Sequence, residues 1–331
     1  MSLWDRLVGW LGALAVLPAR VVEPLMSGLQ HVLGIKRMPW VFLIPNLTAV
    51  VLFALSPVLI NVFYSFTGSD RLYPQDRPFI GTANYDTLLD CGNYLDPSTC
   101  SRDLFWRAIE NSLIFVPLQV ICMIGAALLT ALCLNRRIKG RGFFRGVFFF
   151  PVMLSPVVVA TTWQWILQRN GALNGLLEWA GLQPVNWLVY PDSAFYWSVF
   201  VTIWAHMGFY TIILLAGLQS IPRDVYEAAK MDSASPWRVF TRVTLPLLKP
   251  VLLVVFVLCV IRSVQTFDEL YNLTGGGPGS ATTLMVQYIY EIGFAIQPRN
   301  FGLAAAASLL LGIVLLLFTG LQLRLSRGSQ Q

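Results

Sequence analysis

The chain alternates between long apolar runs and short polar islands. Six runs are long enough to cross the roughly 30 Å hydrocarbon core of a bilayer as helices. They cover Val41 to Phe66, Ala108 to Leu134, Phe143 to Leu167, Tyr196 to Leu218, Val243 to Phe267 and Leu303 to Leu323. Prolines stand inside several of them, at Pro45, Pro57, Pro151 and Pro156. Spanning helices tolerate proline when neighbouring helices re-satisfy the freed carbonyls, so the pattern predicts a packed bundle. The expected fold class is an all-α integral membrane protein with six transmembrane helices.

The polar islands orient the bundle. Arg136, Arg137, Lys139, Arg141 and Arg145 fall between the second and third runs. Arg223, Lys230, Arg238, Arg242 and Lys249 fall between the fourth and fifth. Lys36 and Arg37 precede the first run, and Arg324 and Arg327 follow the last. The island after the first run is acidic instead, with Asp70, Asp76, Asp86, Asp90, Asp96 and Asp103. Basic loops stay inside, so both termini and the island around Glu227 are expected in the cytoplasm. Composition agrees with this class: 56% of residues are hydrophobic and 12% charged, with mean hydropathy +0.63. The net charge of +6 resides in these loops rather than on one soluble face, which argues against nucleic acid as a partner.

Leu7 to Ala19 is apolar but short, and Arg6 and Arg20 bound it. It reads as an amphipathic helix on the cytoplasmic membrane face with Trp4 and Trp10 at the interface, or as the core of a cleaved signal peptide.

No catalytic signature is present, so no enzyme activity is expected, and the cysteines and histidines show no metal spacing. Cys122, Cys133 and Cys259 lie in apolar runs, where they are expected to pack as small hydrophobes. Cys91 and Cys100 lie in the acidic island, a candidate disulfide if that loop faces an oxidising compartment. The two histidines are His31 and His206, the latter expected to be packed or pore-facing in the fourth run. The glycine run at 274–279 lacks the Gly-Lys-Ser/Thr ending of a phosphate loop and follows a membrane helix, so it reads as a structural turn. No cofactor is expected in this chain.

The fifth run carries Arg262, Gln265, Asp268 and Glu269 at helical spacing, which predicts one shared face. Arg262 is a candidate partner for a carboxylate on another span or for an anionic substrate. Asp268 and Glu269 are expected to be hydrated near the outer end. Gln265 and Asn272 are candidates, with Arg262, for a substrate route.

One island differs from the others in being patterned for helix. In EAAKMDSASPWRVFTRVTLPLLKP, from Glu227 to Pro250, a helix is expected to open on Pro222 with Asp224 in its first turn. Ser235 and Pro236 cap and start a second short helix. The order Glu227-Ala228-Ala229, then Asp232 and Ala234, then Thr-Leu-Pro246-Leu-Leu, resembles the EAA loop of ABC importer permeases of the carbohydrate-uptake type, the maltose or glycerol-phosphate permeases. Ser233 stands where that family usually has glycine. FIGTANYDTLL before the second run, GALNGLL with Asn186-Trp187-Leu188, and the segment FDELYNLTGGGPGSATT are also similar to that family. The resemblance covers most of Pro39 to Leu323.

The resemblance implies a type I importer permease fold with four parts. These are an interfacial segment (1–38), a first helix with an external loop (39–106), a permease core with a coupling helix at 222–240 (107–324) and a cytoplasmic tail (325–331). It implies a transport subunit of the bacterial inner membrane, paired with a homologous permease, two ATP-binding subunits that do the hydrolysis and a periplasmic substrate-binding protein. The cargo would be a sugar, polyol or glycerol phosphate. Glu227 would contact a basic residue of the ATPase, Ala228, Ala229 and Ala234 would pack closely against it, and Pro246 would mark entry to the fifth span. An ion-coupled secondary transporter is the alternative, although the chain lacks a clear internal repeat and acidic residues at mid-span are scarce.

Overall fold

The structure is a computed structural model and describes residues 36–327 except 69, 72, 137 and 138, together with 28, 30, 31 and 34. The expected helix at Leu7 to Ala19, Arg137 of the basic loop and the last four residues lie outside the described residues.

The chain divides into two compact units, residues 1–63 and 64–331. The first is dominated by helix α1 (Met38–Ser65), which is apolar on every side and leaves rings such as Phe53 exposed. A helix apolar all round needs lipid or another protein to cover it.

The second unit is helical, and among the described residues its only β pairings are two isolated bridges. Its elements are α2 (Ala83–Leu89), α3 (Asp103–Asn135), α4 (Arg141–Phe149), α5 (Pro156–Leu167), α6 (Ala172–Trp179), α7 (Pro191–Ser220), α8 (Arg223–Met231), α9 (Pro236–Val264), α10 (Asp268–Thr274), α11 (Met285–Tyr290) and α12 (Phe301–Arg327). The main core lies where α3, α7 and α9 meet, with Met123, Ala127, Leu214, Leu218, Leu248 and Val255 buried together. Ala127 and Ala131 are fully buried. Lipid is as apolar as leucine, so close approach at small residues holds such helices together more than any drive to leave water.

Among the described residues, five helices are long and apolar enough to cross a membrane: α1, α3, α7, α9 and α12. The third run is not one rod. It is bent by 102° between Arg141–Met153 and Pro156–Trp179. A 3-10 turn at Phe150–Met153 ends the first limb, and the Ser155 hydroxyl accepts from the Val158 backbone N–H to cap the second. Pro156 then occupies the first helical position, where its missing donor costs nothing. So the third run, expected as one crossing from Phe143 to Leu167, is a broken one.

Other prolines are absorbed differently. The π-helical turns at Val51–Leu55 and Phe240–Thr244 each end two residues before a proline, Pro57 and Pro246. Widening the turn relieves the clash between the proline ring and the carbonyl four residues back. As a result α9 runs unbroken from Pro236, seven residues earlier than the expected start at Val243. The second short helix expected after Ser235 is therefore the first turn of the fifth span.

Asn174 explains one sequence motif. It is fully buried, its amide donates to the Gln168 and Val185 carbonyls at 3.1 and 2.8 Å, and its oxygen accepts from Val185 N–H and Trp187 Nε1. All its bonding capacity is used to tie α6 to the loop before α7. Asn84 does the same for the first loop, donating to the Ser65 and Thr67 carbonyls at 2.8 and 3.1 Å.

Candidate functional sites: a helical elbow and a broken helix

Two places combine polar chemistry with irregular backbone. The first is the elbow between α7 and α9. No residue of α8 is buried, and Pro222 is its N-cap rather than its first helical residue, with Asp224 in the first turn. Glu227 and Ala228 are exposed, while Ala229 and Ala234 are partly covered. The helix ends in a double hydrogen bond: Ser233 N–H donates to the Lys230 carbonyl at 3.0 Å, and Ala234 N–H to the Ala229 carbonyl at 3.1 Å. This Schellman closure needs a left-handed residue at its centre, and Ser233 takes it with φ 53°. Serine thus performs the turn that glycine would make without cost.

Ser235 accepts from Arg238 N–H and starts α9. Asp232 is the C-cap of α8 and is exposed, and Pro246 lies exposed inside α9. One side chain ties the elbow to the bundle: the Tyr226 hydroxyl lies 3.2 Å from Thr244 Oγ1, in the π turn of α9, and its ring packs on the main core. On its free side the elbow shows Val225, Met231 and Trp237, with Met231 86% and Trp237 73% exposed.

The second place lies at the middle of α7. α9 stops at Val264, Gln265 is its C-cap, and α10 starts at Asp268 after Phe267 leaves helical geometry (φ −146°, ψ −60°). The fifth span is therefore broken at 265–267, and Arg262 and Glu269 do not share one continuous face as expected. The break brings them together instead. Arg262 Nη2 donates to Glu269 Oε1 at 3.0 Å, and His206 Nε2 lies 2.7 Å from the same oxygen. Arg262 Nη2 and His206 Nε2 are 3.1 Å apart. A carboxylate between them only accepts, so Nε2 carries a proton and both nitrogens point their hydrogens at one oxygen.

Glu269 is 1% exposed, which corrects the expectation of a hydrated residue at the outer end. Its burial costs little only because two donors meet it. Arg262 is paired to a carboxylate, but one on the next helix of the same segment rather than on another span. His206 supplies the link to α7. Gln265 is exposed at the break, and the Asn272 amide donates to the Asp268 carbonyl within α10. Among the candidate route residues, Arg262 precedes the break, Gln265 lies in it, and Asn272 lies about one turn along α10.

One cysteine expectation changes. Cys259 is buried, but Cys122 and Cys133 are exposed on α3 rather than packed inside. Cys91 and Cys100 are joined by a disulfide. Within the loop they close, the Ser98 hydroxyl and backbone N–H both donate to Asp96 Oδ1 and hold that carboxyl below its usual range. Gly275, Gly276 and Gly279 all take positive φ, so the glycine run makes the turn between α10 and α11. Among the described residues no cluster of His, Cys, Asp and Glu could hold a metal ion.

A bundle with several helices long and apolar enough to cross a membrane defines a multi-pass membrane protein. The family described as binding-protein-dependent transport system inner membrane component matches residues 123–330, and this chain belongs to it. Among relatives, it is 36% identical over 297 residues to the trehalose/maltose transport system permease protein MalF of Thermococcus litoralis, covering 88% of this chain and 94% of that one. Among solved structures, it is similar to a chain of a bacterial ABC transporter that imports the acidic polysaccharide alginate (TM-score 0.76, 26% identity, 92% of this chain and 98% of that one). It is likewise similar to a chain of the alginate transporter in complex with an alginate pentasaccharide-bound periplasmic protein (TM-score 0.75, 25% identity, 90% and 97%). The fold is that of an ABC importer permease.

Proposed function

We propose that this chain is the membrane-spanning subunit of an ATP-driven importer for a sugar or sugar-like solute, paired with a homologous permease. Two cytoplasmic ATPases would dock on the elbow 222–240, and an external binding protein would deliver the cargo. The observation that carries the reading is the elbow itself: an exposed helix with a fixed closure, set between two spans and tied to the fifth by Tyr226 and Thr244. A push on α8 therefore reaches α9, whose far end at Val264 adjoins the break at Gln265. The saccharides named for its relatives support the cargo class, and the positive-inside pattern supports cytoplasmic termini.

In this scheme Glu227 makes a charge contact with a basic ATPase residue. Ala228, Ala229 and Ala234 allow close packing, Asp232 and Ser233 close the turn, and Pro246 sets the π turn through which α9 is moved. Arg262, Gln265 and Asn272 border the route at and beyond the break. Only a ligand that distinguishes two states can shift them, so the dock must differ between the ATPases' open and closed forms.

Reversing the charge with Glu227→Lys in the assembled transporter is expected to leave ATP hydrolysis running while solute uptake falls by at least about tenfold, the equivalent of one charge contact of roughly 1.4 kcal/mol. Unchanged uptake in an intact complex would defeat the coupling role. The pair of His206 with the buried Glu269 suits ion-coupled transport instead. Uptake into proteoliposomes that follows an imposed proton gradient without ATP would establish that second reading.

A further inference from the structure

A cationic patch and an apolar face meet on the short helix α4. Arg136, Lys139, Arg141 and Arg145 fall within positions 136–145, and no acidic residue lies between Glu110 and Glu178. Arg136, Lys139 and Arg145 are exposed, and among the described residues none of the four cations makes an ion pair. Arg141 Nε is buried, yet it has no hydrogen-bond partner among the described residues. A shielded guanidinium donor left unpaired is costly, so it points to an acceptor that the chain does not supply. The helix opens on Gly140, at φ 78°, and no side chain caps its first N–H groups. These donors and the positive end of the helix dipole add to the same field.

The apolar side of the helix decides the occupant. α4 docks on the bundle through Phe148, which packs on the main core. Phe143 and Val147, one turn apart, face away from it and are 72% and 49% exposed. Arg141 and Arg145, also one turn apart, form a separate side. A soluble acidic surface would neutralise the cations but leave Phe143 and Val147 in water. An anionic lipid meets both needs, with a phosphate for the guanidinium groups and acyl chains for the apolar face beside them. On the positive-inside orientation, this helix lies where the inner leaflet carries its headgroups.

We infer that Arg136, Lys139, Arg141 and Arg145 hold the headgroup of an anionic phospholipid, with Phe143 and Val147 against its acyl chains. The bound lipid anchors the first limb of the bent pair at the membrane surface, beside its close approach to Gly208 of α7. The site depends on the inward placement of this loop and not on which solute is carried.

The test titrates the purified transporter, ATPases included, with phosphatidylglycerol or phosphatidylcholine of the same acyl chains and follows binding by native mass spectrometry. Arg141→Gln and Arg145→Gln are each expected to weaken phosphatidylglycerol binding about fivefold, the worth of one cation near a charged membrane surface, and to leave phosphatidylcholine binding unchanged. Arg169→Gln and Arg299→Gln remove the same charge from exposed positions outside the patch and should change neither. Equal affinity for the two lipids in the unsubstituted transporter, or a preference kept in the Arg141→Gln/Arg145→Gln variant, overturns the site. A preference that emerges only once the ATPases are stripped away would give the patch to an acidic face of the ATPase and overturn it as well. Displacement of the lipid by an equal concentration of inorganic phosphate would make it a free-anion site, with the same consequence. A second measurement needs no variant. Phosphatidylglycerol carrying a photoactivatable diazirine in its acyl chain should crosslink to residues 140–150 of the unsubstituted chain several times more than the phosphatidylcholine analogue does. Equal crosslinking by the two lipids, or none there, sinks the proposal.

Discussion

Ser233 bears a backbone conformation that serine resists. At φ 53° its Cβ crowds the carbonyl, at a cost of roughly 1–2 kcal/mol for a non-glycine residue. Ser233→Gly should therefore stabilise the α8 turn by up to about 1 kcal/mol, less whatever glycine gives back in unfolded-state entropy. Ser233→Val should destabilise it by more. Thermal unfolding of the detergent-purified complex, or protection of the α8 amides from exchange, checks the order Gly, Ser, Val; a Val variant as protected as wild type would mean that the turn is not left-handed. The sequence carried half of this. The family resemblance implied a glycine at 233, and Ser235 and Pro236 declared the restart of the helix, but neither told that serine would adopt the glycine geometry unaided.

Glu269 gives the opposite lesson at the same scale. Its neighbours in sequence place it at the end of an apolar run, which reads as a hydrated position. Its fate is set by His206, 63 residues away, and by a helix break that no local propensity announces. Glu269→Leu leaves the Arg262 guanidinium and the His206 ring without their shared acceptor, and should cost roughly 3 kcal/mol. That is the low end for removing one partner of a buried pair, because Arg262 keeps part of its side chain accessible. Replacing all three by apolar residues of similar volume should recover most of that stability, as measured by unfolding of the purified complex. If the triple variant is no better than Glu269→Leu, the cluster is not held by charge.

Among the elements, the third run shows how much of a break the chain declares. Ser155-Pro156 uses the same start signal as Ser235-Pro236, a capping hydroxyl followed by a proline at the first helical position. Inside an apolar run, that signal is overridden by hydrophobicity, which reports membrane depth and not direction. What fixes the bend is contact with α7. A Cβ added to Gly208 would collide with the backbone of Phe148 and Phe149, so the end of α4 lies directly against α7. Backbone cannot swing aside as a flexible side chain can. Gly208→Ala should therefore cost about 1–3 kcal/mol through overpacking, seen as lower yield and a lower unfolding temperature of the complex. Gly175→Ala is the control: nothing lies within 4 Å of its Cβ position, and alanine there should be neutral or mildly stabilising. Equal effects at the two sites would remove the close approach as the cause.

At the scale of the whole molecule, two independent features predict which face meets which compartment. The basic islands, including the elbow from Arg223 to Lys249, belong inside by charge. The loop after α1 holds a disulfide, and disulfides persist where the surroundings are oxidising, so this loop belongs outside. An odd number of crossings must separate them, and α3, the bent pair α4 and α5, and α7 supply it between Cys100 and the elbow. On that orientation the bent pair is predicted to be one full crossing, since a re-entrant loop there would leave both regions on the same side. Labelling in bacterial spheroplasts with a membrane-impermeant maleimide tests this count. With Cys100→Ser, the freed Cys91 should react from outside without permeabilisation, whereas Glu227→Cys should react only after the membrane is opened. The same Cys100→Ser change should lower the loop's stability by about 2–3 kcal/mol, the closure entropy of a loop whose cysteines are 9 residues apart. External reaction at both positions would make the bent pair re-entrant and put the elbow out of reach of a cytoplasmic ATPase, leaving α8 with no nucleotide-driven motor to receive.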